Sequence, residues 1–246
     1  MSKLTWKPGT MVYPVPAVMV SCGNKEIGEN IITIAWTGTV CTNPPMCYIS
    51  VRKQRHSYDL IKNTGEFVIN LTTKDLVKAT DYCGVKSGRD VDKFKEMNLT
   101  SMPATKVSSP MIKESPLNIE CKVTEIKELG SHDMILAEVV AVNVDEDLID
   151  ENGRLHLDWS NPIAYSHGTY YDLKSQLGTF GYSIRKKPLA KKGDSKKATN
   201  RSTLKQTSGK NNAEDKVTNS SSNSNTPIKA KKNRRRHQKN NRKNKI

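Results

Sequence analysis

Two neighbouring stretches carry the residue types best suited to holding a ligand. In "AWTGTVCTNPP", residues 35–45, Thr37, Gly38 and Thr39 offer hydroxyls and backbone N–H groups, and Gly38 lets a ligand approach the backbone closely. Trp36 adds a flat apolar surface beside them. A planar heteroaromatic molecule with polar edges needs that combination, a ring to lie against and donors along its rim. The same residues also suit a bulged strand end with Trp36 in the core, and composition does not separate the two readings.

The second stretch, "VRKQRHSYDLI", residues 51–61, follows at once. Arg52, Lys53, Arg55 and His56 precede Ser57, whose hydroxyl stands where a helix is predicted to begin. Cations, a hydroxyl and helix N–H groups meeting at a strand-to-helix junction make a phosphate site. A solvated basic turn is the competing reading. Together the two stretches describe a planar ring with a phosphorylated side arm, which FMN fits.

The elements that must position these groups read mostly as strands. "MVYPVPAVMV", 11–20, is a strand whose prolines confine its first half to an edge or a bulge. Strands are predicted over 31–35 and 46–51, with "CTNPP" turning between them. Ser57 is expected to cap a short helix over 58–63, ended by Gly65. "EFVINL" reads as a strand buried on both faces. Thr72 or Thr73 is expected to open a helix over 75–82, and Asp90 another over "VDKFKEM". The clearest alternation lies in 117–129, where Leu117, Ile119, Cys121 and Val123 share one face and Asn118, Glu120, Lys122 and Thr124 the other. Its phase slips at Ile126, which predicts a β-bulge. "GSHD" then turns the chain back along 134–144 as a long hairpin. Six or seven strands with short turns and few helices favour a closed barrel, mainly β.

Charge divides the chain in two. From Arg185 to Ile246 there are 21 Lys/Arg against 3 Asp/Glu, a net of +18, whereas Met1 to Ile184 carries 19 against 22, a net of −3. No aromatic residue follows Tyr182. Residues 185–246 therefore read as a disordered basic tail, and 1–184 as one domain with a sizeable core. The tail's "KKNRRRHQKNNRKNK" suits a polyanion such as RNA, held by charge without base stacking; a neutral, solubilising extension is the other reading. The five cysteines form no CxxC pair and the histidines are scattered, so free thiols in a reducing cytoplasm are expected, with neither zinc nor disulfides. Cys41 reads as a small packing residue. No apolar run approaches a membrane span and no cleavable leader opens the chain, so a soluble cytoplasmic protein is expected.

With those residues in view, the chain resembles the flavin reductase-like family, the FMN-binding split barrels, and in particular its flavoredoxin-like branch. The similarity lies in "PVPAVMVSC", in "NIITIAWTGTVCTNPPMCYISVRKQRHSYDLIKNTGEFVINL", in "CGVKSGRDVDKF" and in "NPIAYSHGTYYDLKSQLGTFGYS". It spans about residues 5–184 and leaves the tail outside. The resemblance implies that Ala35, Trp36, Thr37, Gly38 and Thr39 border the isoalloxazine, chiefly through backbone groups. Arg52, Lys53, His56 and Ser57 would hold the ribityl phosphate, and Asn30 would reach the ribityl chain or a ring edge. It also implies a homodimer with flavin near the interface, where Lys93, His167 and Tyr170 would approach a partner's flavin. An ordinary structural role for His167 stays open.

The implied activity is that of an FMN-dependent oxidoreductase or electron-transfer protein, fed by NAD(P)H or a redox protein. No catalytic side chain is required, because flavin chemistry resides in the ring. The absence of a GxGxxG turn counts against a stable dinucleotide site but not against transient hydride transfer. The alternative is a barrel that only supports a tail acting on RNA or the ribosome.

Overall fold

Alternating apolar residues build a curled antiparallel sheet. The computed structural model describes residues 1–185, and the tail's expected disorder and polyanion contact lie outside the described residues. In chain order the strands are β1 (Val15–Pro16), β2 (Val18–Asn24), β3 (Gly28–Ile34), β4 (Thr37–Thr42), β5 (Pro45–Val51) and β6 (Glu66–Asn70), then β7 (Ser101–Met102), β8 (Met111–Ile112), β9 (Leu117–Glu128), β10 (Asp133–Val144), β11 (Ile163–Ser166) and β12 (Thr169–Asp172). The helices are α1 (His56–Thr64), α2 (Val77–Val85) and α3 (Lys93–Glu96). Seven strands form one sheet in the order β3-β2-β6-β9-β10-β5-β4. Its outermost strands, β3 and β4, are joined by Ala35 and Trp36 alone, so the sheet must curl back on itself as a split barrel, β3 and β4 remaining unpaired with each other. Ser50 N donates to Trp36 O at 2.9 Å and ties that short connection to β5.

The core follows the two-residue period of the strands. Val18, Val20 and Cys22 of β2, Ile32 and Ile34 of β3, and Phe67 and Ile69 of β6 point inward with Ile49, Cys121 and Ile135, and Tyr58, Leu60 and Ile61 of α1 pack against them. Ile119 and Val123 join this interior, the face that alternation assigned to them. Met19 and Ile31 point the other way, into a second cluster with Leu76, Ala79 and Cys83 of α2 and Phe94 of α3. The five cysteines carry free thiols, and Cys47 and Cys121 approach to 3.5 Å inside the barrel.

Several expected boundaries move, each for a local reason. The proline-rich strand splits at Ala17, and β1 leaves to form the edge of a separate sheet with β11 and β12. Residues 37–42, left outside the predicted strands 31–35 and 46–51, are a strand, because β5 supplies a pairing partner from Thr37↔Ile49 to Thr42↔Pro45. Ser57 does not cap α1. Arg55 occupies that position, and the Ser57 hydroxyl is buried in the first turn accepting from Asn30 Nδ2 at 2.8 Å. Gly65 ends α1 in the left-handed region, φ 66°, as only glycine does without strain. The helix expected over 75–82 runs from Val77 to Val85, since Thr72 donates instead to Ala17 O and Thr73 bridges to Pro162. Asp92, rather than Asp90, caps α3 by accepting from Lys95 N at 3.2 Å. The bulge falls at Thr124, two residues before the phase slip, where Leu136↔Glu125 steps to Ala137↔Val123.

The face of β9 expected to meet water does so at Lys122 and Thr124, but its first half is covered. Residues 103–116 fold over it there, and Asn118 and Glu120 are buried. Asn70 is the hub of the polar layer beneath: its amide donates to Met19 O and Ser21 Oγ, both at 2.9 Å, while its oxygen accepts from Ile112 N and Asn118 Nδ2.

Candidate functional site

The site is assembled where β3, the exit of β5 and the C-terminal end of α2 converge. Thr33 of β3 donates to Thr80 O of α2, and Gly84 packs its backbone against Thr33, so α2 lies along the free edge of β3. Two cavities open there. The larger, about 540 Å³, is walled on one side by Ile32, Thr33, Ile34, Ala35 and Trp36 and on the other by Tyr13, Tyr165 and Tyr170. The smaller, about 340 Å³, is walled by Asn30, His56, Ser57, Cys83, Lys86, Ser87, Gly88 and Lys93. Ile32, Arg52 and Arg55 line both, so the two adjoin. An aromatic-lined chamber thus stands beside a basic one.

The basic chamber has the donors an anion needs. Arg52, Arg55, Lys86 and Lys93 line it with no Asp or Glu. The first turn of α1 faces it with no side-chain cap, leaving helix N–H groups for a ligand. Burial pushes the His56 imidazole below its usual range, with nearby Arg89 adding to the effect. Burial likewise lowers His132, assisted by Arg52 and Arg55. Both shifts favour neutral imidazoles and report a positive surrounding.

Loop 86–90 covers this chamber and is fastened across it. Arg89 Nη1 donates to Gln54 O at 3.0 Å, and Nη2 lies 3.6 Å from Asp59 Oδ2. A Cβ on Gly88 would overlap Asn30 Oδ1. Asn30 cannot step aside freely, because it is buried and bonded to Ser57. Gly88→Ala is therefore expected to cost about 1–3 kcal/mol, a melting temperature lower by roughly 2–12 °C, and to disturb Ser57 as well. Thermal unfolding of the variant checks this; an unchanged melting temperature would show that the loop yields without cost.

The residues expected from sequence separate into groups. Asn30, Arg52, His56, Ser57 and Lys93 meet in or beside the basic chamber, and Ala35, Trp36 and Tyr170 line the aromatic one. Lys93 and Tyr170, expected to reach toward a second copy, line the cavities of their own chain. Thr37, Gly38 and Thr39 do not line either cavity. Thr37 Oγ1 donates to Tyr48 O at 2.6 Å, and the missing side chain of Gly38 makes room for the Tyr48 ring. Lys53 turns away to Glu128 Oε1 at 2.9 Å and to buried Asp133 at 3.6 Å. Arg55, two residues further on at the start of α1, takes the place in the cavity wall. His167, at φ 48° in the His167–Gly168 turn of the β11–β12 hairpin, lies tilted at 41° with its centroid 4.5 Å from that of the Tyr13 ring, with Gly168 rather than His167 on the lining.

Sequence reading missed His132, whose ring lies 4.5 Å from Trp36 and accepts from Arg52 Nε at 3.4 Å. It also missed Tyr13, Tyr165 and Asp81. Tyr170 OH donates to Asp81 Oδ1 at 3.3 Å, and burial with that carboxylate pushes the phenol up to about 12. The only sequence signal for these was the density of Tyr in "IAYSHGTYYD". Among the described residues no group of three or more His, Cys, Asp or Glu could hold a metal ion, and no helix is long and apolar enough to cross a membrane.

A split antiparallel barrel with an aromatic-lined chamber beside a carboxylate-free basic one has the walls and donors suited to a planar ligand that carries an anionic group. Residues 10–174 match the flavin reductase like domain, and the chain belongs to that family. Among solved structures it is similar to flavoredoxin of Desulfovibrio vulgaris (Miyazaki F), 28% identical with a TM-score of 0.70, over 75% of this chain and 100% of that one. Flavoredoxin from Methanosarcina acetivorans is similar at 27% identity and a TM-score of 0.68, again over 75% and 100% of the two chains. An uncharacterized protein of Pyrococcus abyssi shares 28% identity over 65% of this chain and 95% of its own.

Proposed function

We propose that the chain binds FMN and works as a flavin-dependent oxidoreductase or electron-transfer protein. The observation that carries this reading is that the aromatic-lined and basic cavities adjoin, sharing Ile32, Arg52 and Arg55 as a common wall. The isoalloxazine would occupy the larger chamber against Ala35 and Trp36, and the ribityl phosphate the smaller. β3 supports the ring's placement: it is an edge strand, so backbone groups on one side of it are free to meet polar ring edges. Asn30, bonded to Ser57, stands along the ribityl path. Ser57 is left free to donate its own proton to a phosphate oxygen, beside Arg52, Arg55 and the N–H groups of α1.

Bound flavin supplies the hydride and electron chemistry, and the protein supplies position, charge and exclusion of water. Tyr13, Tyr165 and Tyr170 form the wall opposite β3, and the Tyr170 phenol is kept protonated and aimed by Asp81. That wall leaves the planar face of the ring to a flat donor or acceptor, NAD(P)H or a redox protein. The exposed Leu4, Trp6 and Val12 near one end and Leu177, Phe180 and Tyr182 near the other support assembly as a homodimer.

Absorbance of the purified protein tests the reading, followed by identification of the flavin released on denaturation. FMN at about one per chain is expected, bleached by NADH or NADPH without oxygen. A colourless protein that takes up no added FMN would overturn it.

A further inference from the structure

We infer that Asp133 is a positioning residue for the site. From the β9–β10 hairpin its buried carboxylate holds both ends of the turn 53–58, and so fixes where Arg52, Arg55 and Ser57 stand. The inference rests on the flavin reading only for the ligand that detects the effect.

The junction between β5 and α1 carries much of the site and little that holds it from within. Arg52, Arg55, His56 and Ser57 all line the cavities. Two backbone bonds close the turn, Arg55 N to Arg52 O at 3.0 Å and Tyr58 N to Arg55 O at 2.9 Å, and α1 begins without a side-chain cap. On the solvent side Arg89 ties the turn through Gln54 O. On the barrel side Asp133 does so. It is 0% exposed; its Oδ2 accepts from Tyr58 OH at 2.7 Å and lies 3.6 Å from Lys53 Nζ. The hydrogen bond to Asp133, with burial adding, pushes the Tyr58 phenol above its ordinary value, so the phenol stays a donor. The residue before it, His132, meets Trp36 and Arg52, so one short segment of β10 and its turn touches the site from two directions.

Stability does not explain this carboxylate. Its Oδ1 is buried with no hydrogen-bond partner among the described residues. A buried carboxylate with one oxygen unpartnered is costly, and an apolar pair in place of the Tyr58 hydroxyl and Asp133 would fold as well or better. What an apolar pair lacks is direction. A hydrogen bond and an ion pair to one oxygen fix Tyr58 and Lys53 relative to each other, whereas apolar contact lets them slide. A purely structural Asp133 makes a different forecast: binding would follow stability, and restoring one would restore the other.

The full-length protein, freed of flavin, separates the two. Melting temperature, amide hydrogen exchange and FMN titration are measured for the native chain, Tyr58→Phe/Asp133→Leu and Asp133→Asn. The double variant should melt within about 3 °C of the native chain or above it. Exchange at the amides of Arg55 and Tyr58 should quicken about tenfold or more, with β2 and β9 unchanged. FMN affinity should fall about tenfold or more in the same variant. Asp133→Asn keeps an acceptor for Tyr58 and gives up the charge facing Lys53, and it carries the comparison if the double variant does not fold. About a threefold change in exchange and in affinity is expected of it. Native exchange at Arg55 and Tyr58, or native FMN affinity, in the double variant would overturn the inference and leave the flavin reading standing. So would a loss of affinity that appears only with a lowered melting temperature. If the native chain bound no flavin, the flavin reading would fall, and exchange at Arg55 and Tyr58 would decide the positioning role by itself.

Discussion

Replacing Arg55 and Ser57 together by alanine is expected to weaken FMN binding by about 10²- to 10⁴-fold while leaving riboflavin within about threefold. Each side chain offers one charge-assisted contact to a phosphate, at roughly 1.5–3 kcal/mol apiece, and two such contacts span that range. Arg55 is chosen over Lys53 because Lys53 is committed to Glu128 and Asp133, whereas Arg55 lines both cavities. Ser57 accepts from Asn30, which leaves its own hydrogen free for the ligand. Neither substitution removes a helix cap hydrogen bond, since α1 has none from a side chain. Titration of the ligand-free protein with each flavin measures the ratio. Equal loss for FMN and riboflavin would mean that these residues shape the chamber rather than hold a phosphate, and the assignment would fail.

Glu120 is expected to carry more stability than any other surface-patterned residue. Its carboxylate is fully buried and accepts five hydrogen bonds. Thr105 N, Thr105 Oγ1 and Asn143 Nδ2 reach Oε1 at 2.8, 2.7 and 2.7 Å, and Lys106 N and Val107 N reach Oε2 at 2.6 and 3.2 Å. Glu120→Ala takes the acceptor from three backbone N–H groups, that of buried Val107 among them, and frees the loop that covers this part of β9. The expected cost is about 3–5 kcal/mol, or roughly 6–20 °C in melting temperature.

Acid should act through the same residue. Burial by itself pushes the Glu120 carboxyl up, but the donors from Thr105, Asn143 and Lys106 outweigh it and hold the group below the usual carboxylate range. A carboxyl whose folded pKa is depressed contributes stability above its unfolded pKa and loses it as pH falls through the folded value. The native chain should therefore lose stability below about pH 4 more steeply than Glu120→Gln, which has no proton to take up there. Parallel acid limbs for the two proteins would show that Glu120 is not the group that titrates.

Much of this molecule is local enough to read from the chain. Ile119, Cys121 and Val123 announce an inward face because a strand alternates strictly, and they pack in the barrel core, with Leu117 on the same register buried as well. Gly65 ends α1 because a left-handed residue there is strained for anything else. "NPP" turns β4 into β5, and the basic junction after β5 does stand at a helix start. These features depend on neighbours within a few residues, so residue type and spacing carry them.

What tertiary structure decided are the choices made by partners far along the chain. Thr37–Thr42 becomes a strand only because β5 presents an edge to it, for its own residues are mixed and half exposed. Lys53 and Arg55 are equivalent on paper; Glu128 and Asp133 of a distant hairpin claim the first and leave the second to the cavity. Glu120 reads as a solvent-facing residue until residues 103–116 fold over it. His132 enters the site from 80 residues beyond Arg52, and Lys93 ties back over 62 residues to Ile31. The sequence by itself determined the period of the strands, the ends of the clearest elements and the division of charge, because these are set by backbone stereochemistry and local solvation. Which cations face the cavity and which polar side chains are buried was decided only when the barrel closed, because burial and pairing depend on contacts that no local window contains.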